Sequence, residues 1–346
     1  MKFLLMVFGA SAVLAFVYAA VVTLLPGFKV PAQKLNKRPV AFPDIEGLGN
    51  PQREEFTFEV QGDRVHAWFY TPANTSGRVP CVVLGHGLGG TKACGLGRYA
   101  AKFQEAGFAA LAFDYRFFGE SGGEPRQLIS IPHQLEDYKV AVAHARRMPT
   151  VNPDHIALWG SSFSGGHVIV LAAQDPSIAC VVAQVPGLDP VAALKEHLTR
   201  DHVCRLLRLV PHGQRDMLRS WLGLTPHRVP LVGKPGTIGL MTSPDAYEKF
   251  PLIAPEGFVN EACARIIIRA DKYRPAKVAK KVRCPVLVQV CERDSLTPVS
   301  SVQGTLAALK DLAEIRYYSI GHFDIYLGEH FERAVSDQID FFERQL

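Results

Sequence analysis

One short stretch of the chain combines residue types that could carry out nucleophilic catalysis. An apolar run over Ile156–Trp159 is typical of a buried β-strand, and a helical pattern covers Val168–Gln174. The sequence GSSFSG lies between them and is close to G-x-S-x-G, a strand–turn–helix pattern that presents a serine at its tip. The next backbone N–H then points at the oxyanion that develops on a substrate. We predict that Ser162 is the nucleophile and that Phe163 supplies this N–H.

A second serine leaves an alternative open. Ser164 stands where the pattern has glycine, and both residues are small. Ser164 could instead be the centre of S-x-S-x-G, flanked by Ser162 and Gly166. The apolar run ends at Gly160, two residues before Ser162, which favours Ser162. The stretch could also be an ordinary junction at which serines cap a helix.

A serine nucleophile requires a base and an acid that orients the base. Asp294 follows the apolar strand Val286–Cys291, so its carboxylate can reach the edge at which that strand ends. Glu292 lies nearer the strand and Asp189 follows the preceding strand, and both are alternatives. Asp294 could also simply cap the helix that follows it. We predict that Asp294 is the acid.

His322 is the predicted base. It follows the last predicted strand and is preceded by Gly321, which allows the sharp turn that would project an imidazole towards the serine. The chain order of Ser162, Asp294 and His322 is that of the hydrolases with a serine at a strand–helix turn. The other serine-triad folds have a different order.

A glycine-rich loop after another apolar strand has two interpretations. Gly85, Gly87 and Gly90 satisfy G-x-G-x-x-G, and Asp114 at the end of the next strand stands where a dinucleotide-binding fold places its ribose-binding acid. In that interpretation the strand should open the sheet, yet a hairpin precedes it. We favour an oxyanion loop in which the backbone N–H of Leu88 faces the substrate.

Strand and helix patterns alternate along the chain, which predicts an α/β fold: a mostly parallel eight-stranded sheet with helices on both faces. The first two strands form an antiparallel hairpin. The predicted strands are 54–60, 64–71, 81–84, 108–114, 156–159, 178–185, 286–291 and 315–319.

Together these features resemble the α/β-hydrolase family over residues 54–346, apart from a long middle segment, and especially its dienelactone-hydrolase and acyl-peptidase-like branch. The resemblance is carried by HGLG at 86–89, DYR at 114–116 with Gly119 and Ser121, GSSFSGG at 160–166, Asp294 and Gly321–His322. It implies hydrolysis of a small-molecule ester, thioester, amide or lactone through an acyl-enzyme. It also implies no metal and no organic cofactor.

The domain organisation follows from the same patterns. We predict core segments over 51–188 and 283–346 and a helical cap insertion over 189–282, because 94 residues are too many for a simple loop. Segment 195–234 carries eight basic residues, among them Arg205 and Arg208, and three acidic residues. It is either a solvated face or a surface that meets an acidic substrate or anionic lipid.

The amino-terminal segment differs from the rest. Phe3 to Leu25 contains no charged residue and is long enough to span a bilayer. We predict that residues 1–25 form a single-pass membrane anchor, with a signal peptide cleaved after Ala19 as the alternative. Basic residues after the segment weakly place the catalytic part on the cytoplasmic side. Residues 26–50 are rich in proline, and we predict that they form a linker.

Charge and cysteine content exclude some function classes. Of 38 basic residues, five precede the first acid, Asp44, and the remaining 33 match the 33 acids. A basic nucleic-acid-binding surface over the globular part is therefore not expected. The seven cysteines contain no C-x-x-C spacing, so neither a disulfide framework nor a zinc site is expected. The remaining function classes are an ester or thioester hydrolase, a peptidase or amidase on the same triad, and a dinucleotide-binding oxidoreductase.

Overall fold

The computed structural model describes residues 14–15, 17–24, 30–31, 33, 35, 53–73, 77–196 and 200–346, with side chains from 203 onward in the last range. Within them, eight strands form one sheet in the order β1-β2-β4-β3-β5-β6-β9-β10. The strands are β1 (Arg53–Val60), β2 (Asp63–Tyr70), β3 (Val79–Gly85), β4 (Ala109–Phe113), β5 (Val151–Ser161), β6 (Cys180–Gln184), β9 (Val286–Cys291) and β10 (Ala313–Tyr318).

Strand direction matches the prediction of a mostly parallel sheet. β2 pairs antiparallel with both β1 and β4, and every other neighbouring pair is parallel. The central strands are continuous apolar runs because helices cover both of their faces. The predicted eight-stranded α/β fold is therefore confirmed.

Nine helices are named here in chain order. They are α1 (residues 17–24), α2 (Leu96–Glu105), α3 (Ile131–Ala145), α4 (Phe163–Ala172), α5 (Pro190–Glu196), α6 (Arg200–Trp221), α7 (Pro244–Ile253), α8 (Val299–Leu309) and α9 (Gly328–Gln345). α3, α4 and α8 pack on one face of the sheet through one apolar cluster. α2 and α9 pack on the other face through a second cluster that includes Trp159, Tyr99 and Phe103.

The parallel strands place the predicted chemical groups together. The loops that follow β3, β5, β9 and β10 all leave the sheet at its carboxyl edge, since the carboxyl ends of parallel strands share one edge. These four loops carry the glycine-rich segment, Ser162, Asp294 and His322 in that order. The sheet thus brings residues from distant parts of the chain to one place.

The chain between β6 and β9 makes a separate set of elements. It contains α5, α6, α7, a two-stranded ribbon of β7 (Arg228–Val229) and β8 (Ala262–Cys263), and four short 3-10 turns. Residues of α5 and α6 and of the segments around 240 and 266 line the same cavity as Ser162. We propose that residues 189–282 form a cap over the carboxyl edge.

The membrane anchor predicted over Phe3–Leu25 is wrong: among the described residues, no helix is both long and apolar enough to cross a membrane. The predicted single-pass membrane localisation is wrong with it. Residues 1–13, 16 and 25 lie outside the described residues, as does most of the 26–50 segment predicted as a linker.

The described part of the apolar segment contacts the protein through a few residues, whereas Leu14, Val17, Tyr18, Val21 and Leu24 are exposed. α1 lies against α6 with Val22 and Thr23 buried. Arg215 donates a 2.5 Å hydrogen bond to the carbonyl oxygen of Val22, and Arg219 donates a 3.2 Å bond to that of Thr23. The anchor prediction relied on hydropathy along the chain, which cannot show these contacts with α6.

We expect Arg215→Ala to release α1 from α6. An isolated helix of this length is unstable in water, so its backbone amides are protected only while it is docked. Hydrogen–deuterium exchange over residues 17–24 should become at least about tenfold faster, as loss of a buried charged hydrogen bond predicts. Arg208→Ala, which removes an exposed arginine from the same helix, is the control. Unchanged exchange in Arg215→Ala would show that the contact does not hold α1.

Candidate active site

Ser162 occupies a strained turn between β5 and α4. Its backbone has φ 55° and ψ −116°, in the region that residues with a side chain rarely adopt. The turn closes only because Gly160 has no side chain, since a Cβ there would lie 2.2 Å from the carbonyl oxygen of Ser164. The strained backbone projects the Ser162 side chain away from the sheet, as the sequence pattern predicts.

Ser164 points away from the cavity. Its side chain is fully buried, and its hydroxyl donates to the carbonyl oxygen of His86 at 2.5 Å and pairs with the Tyr115 hydroxyl at 2.7 Å. The serine that replaces the motif glycine therefore ties the Ser162 turn to the glycine-rich loop. This geometry favours Ser162 over Ser164 as the nucleophile.

His322 and Asp294 continue a line of hydrogen bonds from Ser162. The Nε2 atom of His322 lies 3.1 Å from Ser162 Oγ, and its Nδ1 atom lies 2.6 Å from Asp294 Oδ2. The His322 and Asp294 side chains are 1% and 0% exposed. Such a line can move a proton from the hydroxyl to the imidazole while the carboxylate stabilises the resulting cation.

Asp294 is held in its ionised form. Burial alone would raise its pKa, but the attraction of His322 and the hydrogen bonds from the backbone N–H groups of Thr297 and Leu296 lower the pKa below its ordinary value. The alternative acids have other partners. Glu292 is exposed and accepts a hydrogen bond from Ser319. Asp189 pairs with Arg274 at 2.6 Å and caps the start of α5.

The glycine-rich loop passes directly beside Ser162. A Cβ at Gly87 would lie 3.1 Å from the Cβ of Ser162. Leu88 and Phe163 line one cavity with Ser162, and neither of their backbone N–H groups donates a hydrogen bond within the described part of the chain. Both predicted oxyanion donors therefore remain available to a substrate oxygen.

His86 fixes the shape of this loop. Its Nδ1–H donates to the carbonyl oxygen of Gly87 at 3.0 Å, and its Nε2 accepts from the Tyr115 N–H at 3.4 Å. These bonds require a neutral imidazole. Burial lowers the pKa of His86 and keeps it neutral.

The dinucleotide interpretation does not fit the contacts. Asp114 accepts bonds from the backbone N–H and the Nζ of Lys92, both at 2.7 Å, and from the Glu120 N–H at 3.0 Å. Its carboxylate is buried in these contacts and cannot face a ribose. Gly85 is required for packing, since a Cβ there would lie 2.6 Å from the side chains of both Tyr115 and Tyr138.

A cavity of about 350 Å³ opens beside Ser162. Its lining is mainly aliphatic, and Arg205 of α6 adds a guanidinium that donates a 3.2 Å hydrogen bond to Thr242 Oγ1. A cavity of this size and lining is typical of a small-molecule site. The aliphatic residues include Leu188, Leu194, Leu206, Leu209, Leu240, Met241, Ile266 and Ile267.

Comparisons with known proteins agree with this architecture. Residues 61–202 match the sequence pattern of the X-Pro dipeptidyl-peptidase (S15) family. The quorum-quenching protein AidA of Acinetobacter baumannii is 39% identical over 289 residues, which cover 83% of this chain and 93% of that protein. The crystal structure of the α/β hydrolase GrgF from Penicillium has a TM-score of 0.72 and 26% identity, over 85% of this chain and 98% of GrgF.

The chain belongs to the α/β-hydrolase family. The resemblance to this family is thereby confirmed, and so is the fold. Another relative, the thiohydrolase aneE of Aspergillus aculeatus, is 26% identical over 76% of this chain and 84% of its own length. GrgF is also named a polyketide transferase. The α/β-hydrolase relatives thus include both hydrolases and transferases.

The structure shows a buried cluster beside the cavity that the sequence pattern did not reveal. His167 lies one helical turn after Phe163, and the two rings are 5.0 Å apart. Its Nδ1 accepts from the hydroxyl of Tyr273, a cavity residue, at 2.6 Å, and its Nε2 donates to Gln134 at 3.1 Å. No local signal marks these residues, because Tyr273 and Gln134 are distant in sequence.

We expect His167 to make stability depend on pH. Burial lowers the pKa of His167 from 6.5 to about 3, so the unfolded chain binds more protons than the folded one between these values. The free energy of unfolding therefore falls as pH drops from 6.5 towards 3. In His167→Gln this decline should be shallower, by about 1 kcal/mol per pH unit.

Chemical denaturation of both proteins between pH 7 and pH 4 measures the difference. His86, whose charge also lowers the pKa of His167, is present in both proteins, as are the other histidines. If the free energy of unfolding depends on pH equally in the wild type and in His167→Gln, the prediction that His167 contributes to this dependence is wrong.

Proposed function

We propose that the protein is a serine hydrolase that cleaves a carboxylic ester or thioester through an acyl-enzyme. The observation that carries the proposal is the line of hydrogen bonds from Ser162 through His322 to Asp294 beside a largely aliphatic cavity. In this proposal Ser162 is the nucleophile, His322 the base and Asp294 the orienting acid. Leu88 and Phe163 provide the oxyanion donors.

Acylation begins when Ser162 Oγ attacks the carbonyl carbon of the substrate. His322 Nε2 takes the hydroxyl proton, and Asp294 stabilises the imidazolium that forms. The carbonyl oxygen becomes an oxyanion and accepts hydrogen bonds from the N–H groups of Leu88 and Phe163. Each such donor contributes about 10²–10³ in rate. When the intermediate collapses, the bond to the leaving group breaks, and the leaving group accepts the proton that His322 took from Ser162.

Deacylation repeats these steps with water. His322 removes a proton from water, which attacks the acyl carbon of the Ser162 ester, and the same two N–H groups hold the oxyanion. The bond to Ser162 Oγ then breaks, and His322 returns the proton to that oxygen. The carboxylic acid leaves and the free enzyme is restored.

The cavity accounts for the acyl side of the substrate. Its leucine, isoleucine and methionine side chains suit an aliphatic chain, since burial of apolar surface is favourable. The names of related proteins, a thiohydrolase and a polyketide transferase, support acyl chemistry on an ester or thioester. We propose a small-molecule acyl substrate.

A peptidase or amidase on the same triad is the alternative, and the S15 family match supports it. A dipeptidyl-peptidase must recognise a substrate ammonium group, which requires acidic side chains. Among the described lining residues, Asp189 is the only acid, and Arg274 already neutralises it. The cavity therefore favours the ester or thioester over the peptide.

Ser162→Ala should abolish both labelling by a fluorophosphonate probe and hydrolysis of short p-nitrophenyl esters. Loss of the nucleophile should lower kcat by about 10⁴-fold or more. Ser164→Gly, which restores the glycine of the pattern at the neighbouring position, is the matched control and should still be labelled. If Ser162→Ala is still labelled and Ser164→Gly is not, then Ser164 is the nucleophile and the proposal for Ser162 is wrong. A panel of acyl thioesters, esters and peptide amides distinguishes the esterase from the peptidase.

Arg205 should discriminate between acidic and neutral acyl groups. Its guanidinium lines the cavity, whereas Arg208, one turn further along α6, is exposed and does not line it. A charged hydrogen bond to a substrate carboxylate would contribute about 1.5–3 kcal/mol. Arg205→Met should therefore lower kcat/KM for an ester of a dicarboxylic acid at least about tenfold, and leave a neutral ester of equal length within about twofold.

Arg208→Met is the control for net charge on the same helix and should leave both esters unaffected. Equal losses of kcat/KM in the two arginine variants would show that the effect comes from the net charge of this helix and not from Arg205 itself. If kcat/KM for the acidic ester is unchanged in Arg205→Met, then Arg205 does not contact the acyl group of the substrate.

A further inference from the structure

Besides the contact between Ser162 and His322, a buried hydrogen bond connects the two segments that carry these residues. The Ser161 hydroxyl lies 2.5 Å from the Tyr326 hydroxyl, and the two residues are 1% and 6% exposed. Ser161 directly precedes Ser162, and Tyr326 follows His322 by four residues. This contact joins the serine turn to the histidine loop, and neither Ser161 nor Tyr326 lines the large cavity.

The serine end of this bond is held by Gln184 at the end of β6. The Gln184 side chain donates to Ser161 Oγ at 3.0 Å, and its backbone carbonyl accepts from the Ser162 N–H at 2.9 Å. The Gln184 amide oxygen accepts from Gln338 of α9 at 2.9 Å. Gln338 also donates to Gln289 at 2.6 Å and accepts from the Trp159 ring N–H at 3.0 Å. Because the amides are bonded to one another, Ser161 has a fixed orientation.

The tyrosine end is held equally firmly by α2. The Tyr326 carbonyl oxygen accepts from Arg98 at 3.1 Å, and the preceding carbonyl, that of Ile325, accepts from the Tyr99 hydroxyl at 3.3 Å. The rings of Tyr99 and Tyr326 meet edge to face at 6.5 Å. Tyr326 therefore presents its hydroxyl from a rigid support.

We propose that Ser161 and Tyr326 are positioning residues whose hydrogen bond sets the separation between the Ser162 hydroxyl and the His322 imidazole. The inference rests on the proposed serine-hydrolase function. Neither residue touches the reacting atoms in this proposal. Proton transfer is sensitive to the 3.1 Å distance between Ser162 Oγ and His322 Nε2, so loss of the bond affects turnover more than binding.

Tyr326→Phe removes the hydroxyl and keeps the ring. With a p-nitrophenyl ester we expect kcat to fall about tenfold while KM stays within twofold. Tyr318→Phe is the matched control. Tyr318 precedes His322 by four residues, is buried, and bonds to Gln289 and Asp337, so it belongs to the same polar cluster without contacting Ser161. Its kcat should stay within twofold, and equal kcat values in the two variants would overturn the proposal.

A double-mutant cycle with Ser161→Ala tests whether the effect passes through this one bond. The double variant should have a kcat no lower than that of the slower single variant. Multiplicative losses would mean that the two residues act independently, which overturns the proposal. Should Tyr326→Phe fail to fold, Ser161→Ala removes the same bond and carries the same expectation for kcat and KM.

A crystal structure of Tyr326→Phe separates this inference from the proposed function. The distance from Ser162 Oγ to His322 Nε2 should increase beyond 3.5 Å, the limit of a hydrogen bond. An unchanged distance overturns the inference even when the wild type hydrolyses esters. Absence of fluorophosphonate labelling in the wild type would overturn the proposed function, while the distance still decides whether the bond positions the two side chains.

Discussion

The strained backbone of Ser162 is the constraint on which the site depends. A residue with a side chain is held at φ 55°, which costs free energy that other contacts must offset. Three backbone hydrogen bonds do so, from the Ser162 N–H to Gln184 and from the Gly165 and Gly187 N–H groups to the Ser162 carbonyl. The missing side chain of Gly160 completes the turn. Strand β5, helix α4 and the end of β6 are thus fixed to one another at this residue.

Polar groups buried around this turn extend its rigidity. The hydroxyl of Ser164 connects the turn to the glycine-rich loop, and that of Ser161 connects it to the histidine loop. Asp294 is bonded by the N–H groups of the loop that carries it. Buried polar groups that are fully paired specify one arrangement, since any other leaves a donor or acceptor without a partner. The side chains of the site are therefore placed before a substrate arrives.

Much of this arrangement could be predicted from the sequence because the signals are local. Alternating apolar and polar residues located the first two strands and apolar runs located the other six, and the order of strand ends placed Ser162, Asp294 and His322 at one edge. The contacts that depend on distant segments could not be predicted. Nothing near His167 indicates Tyr273, and nothing near Ser161 indicates Tyr326. The apolar amino-terminal segment was misread for the same reason, since its partner α6 lies almost two hundred residues away.

The docking of α1 has a consequence for the far side of α6. One end of α6 holds α1 through Arg215 and Arg219, while the other end supplies Leu206 and Leu209 to the substrate cavity. Pro211 lies between these two ends and removes one backbone hydrogen bond of the helix, so α6 can bend there. The amino-terminal segment and one wall of the cavity thus share a single helix, and Pro211 sets how far a displacement of one reaches the other.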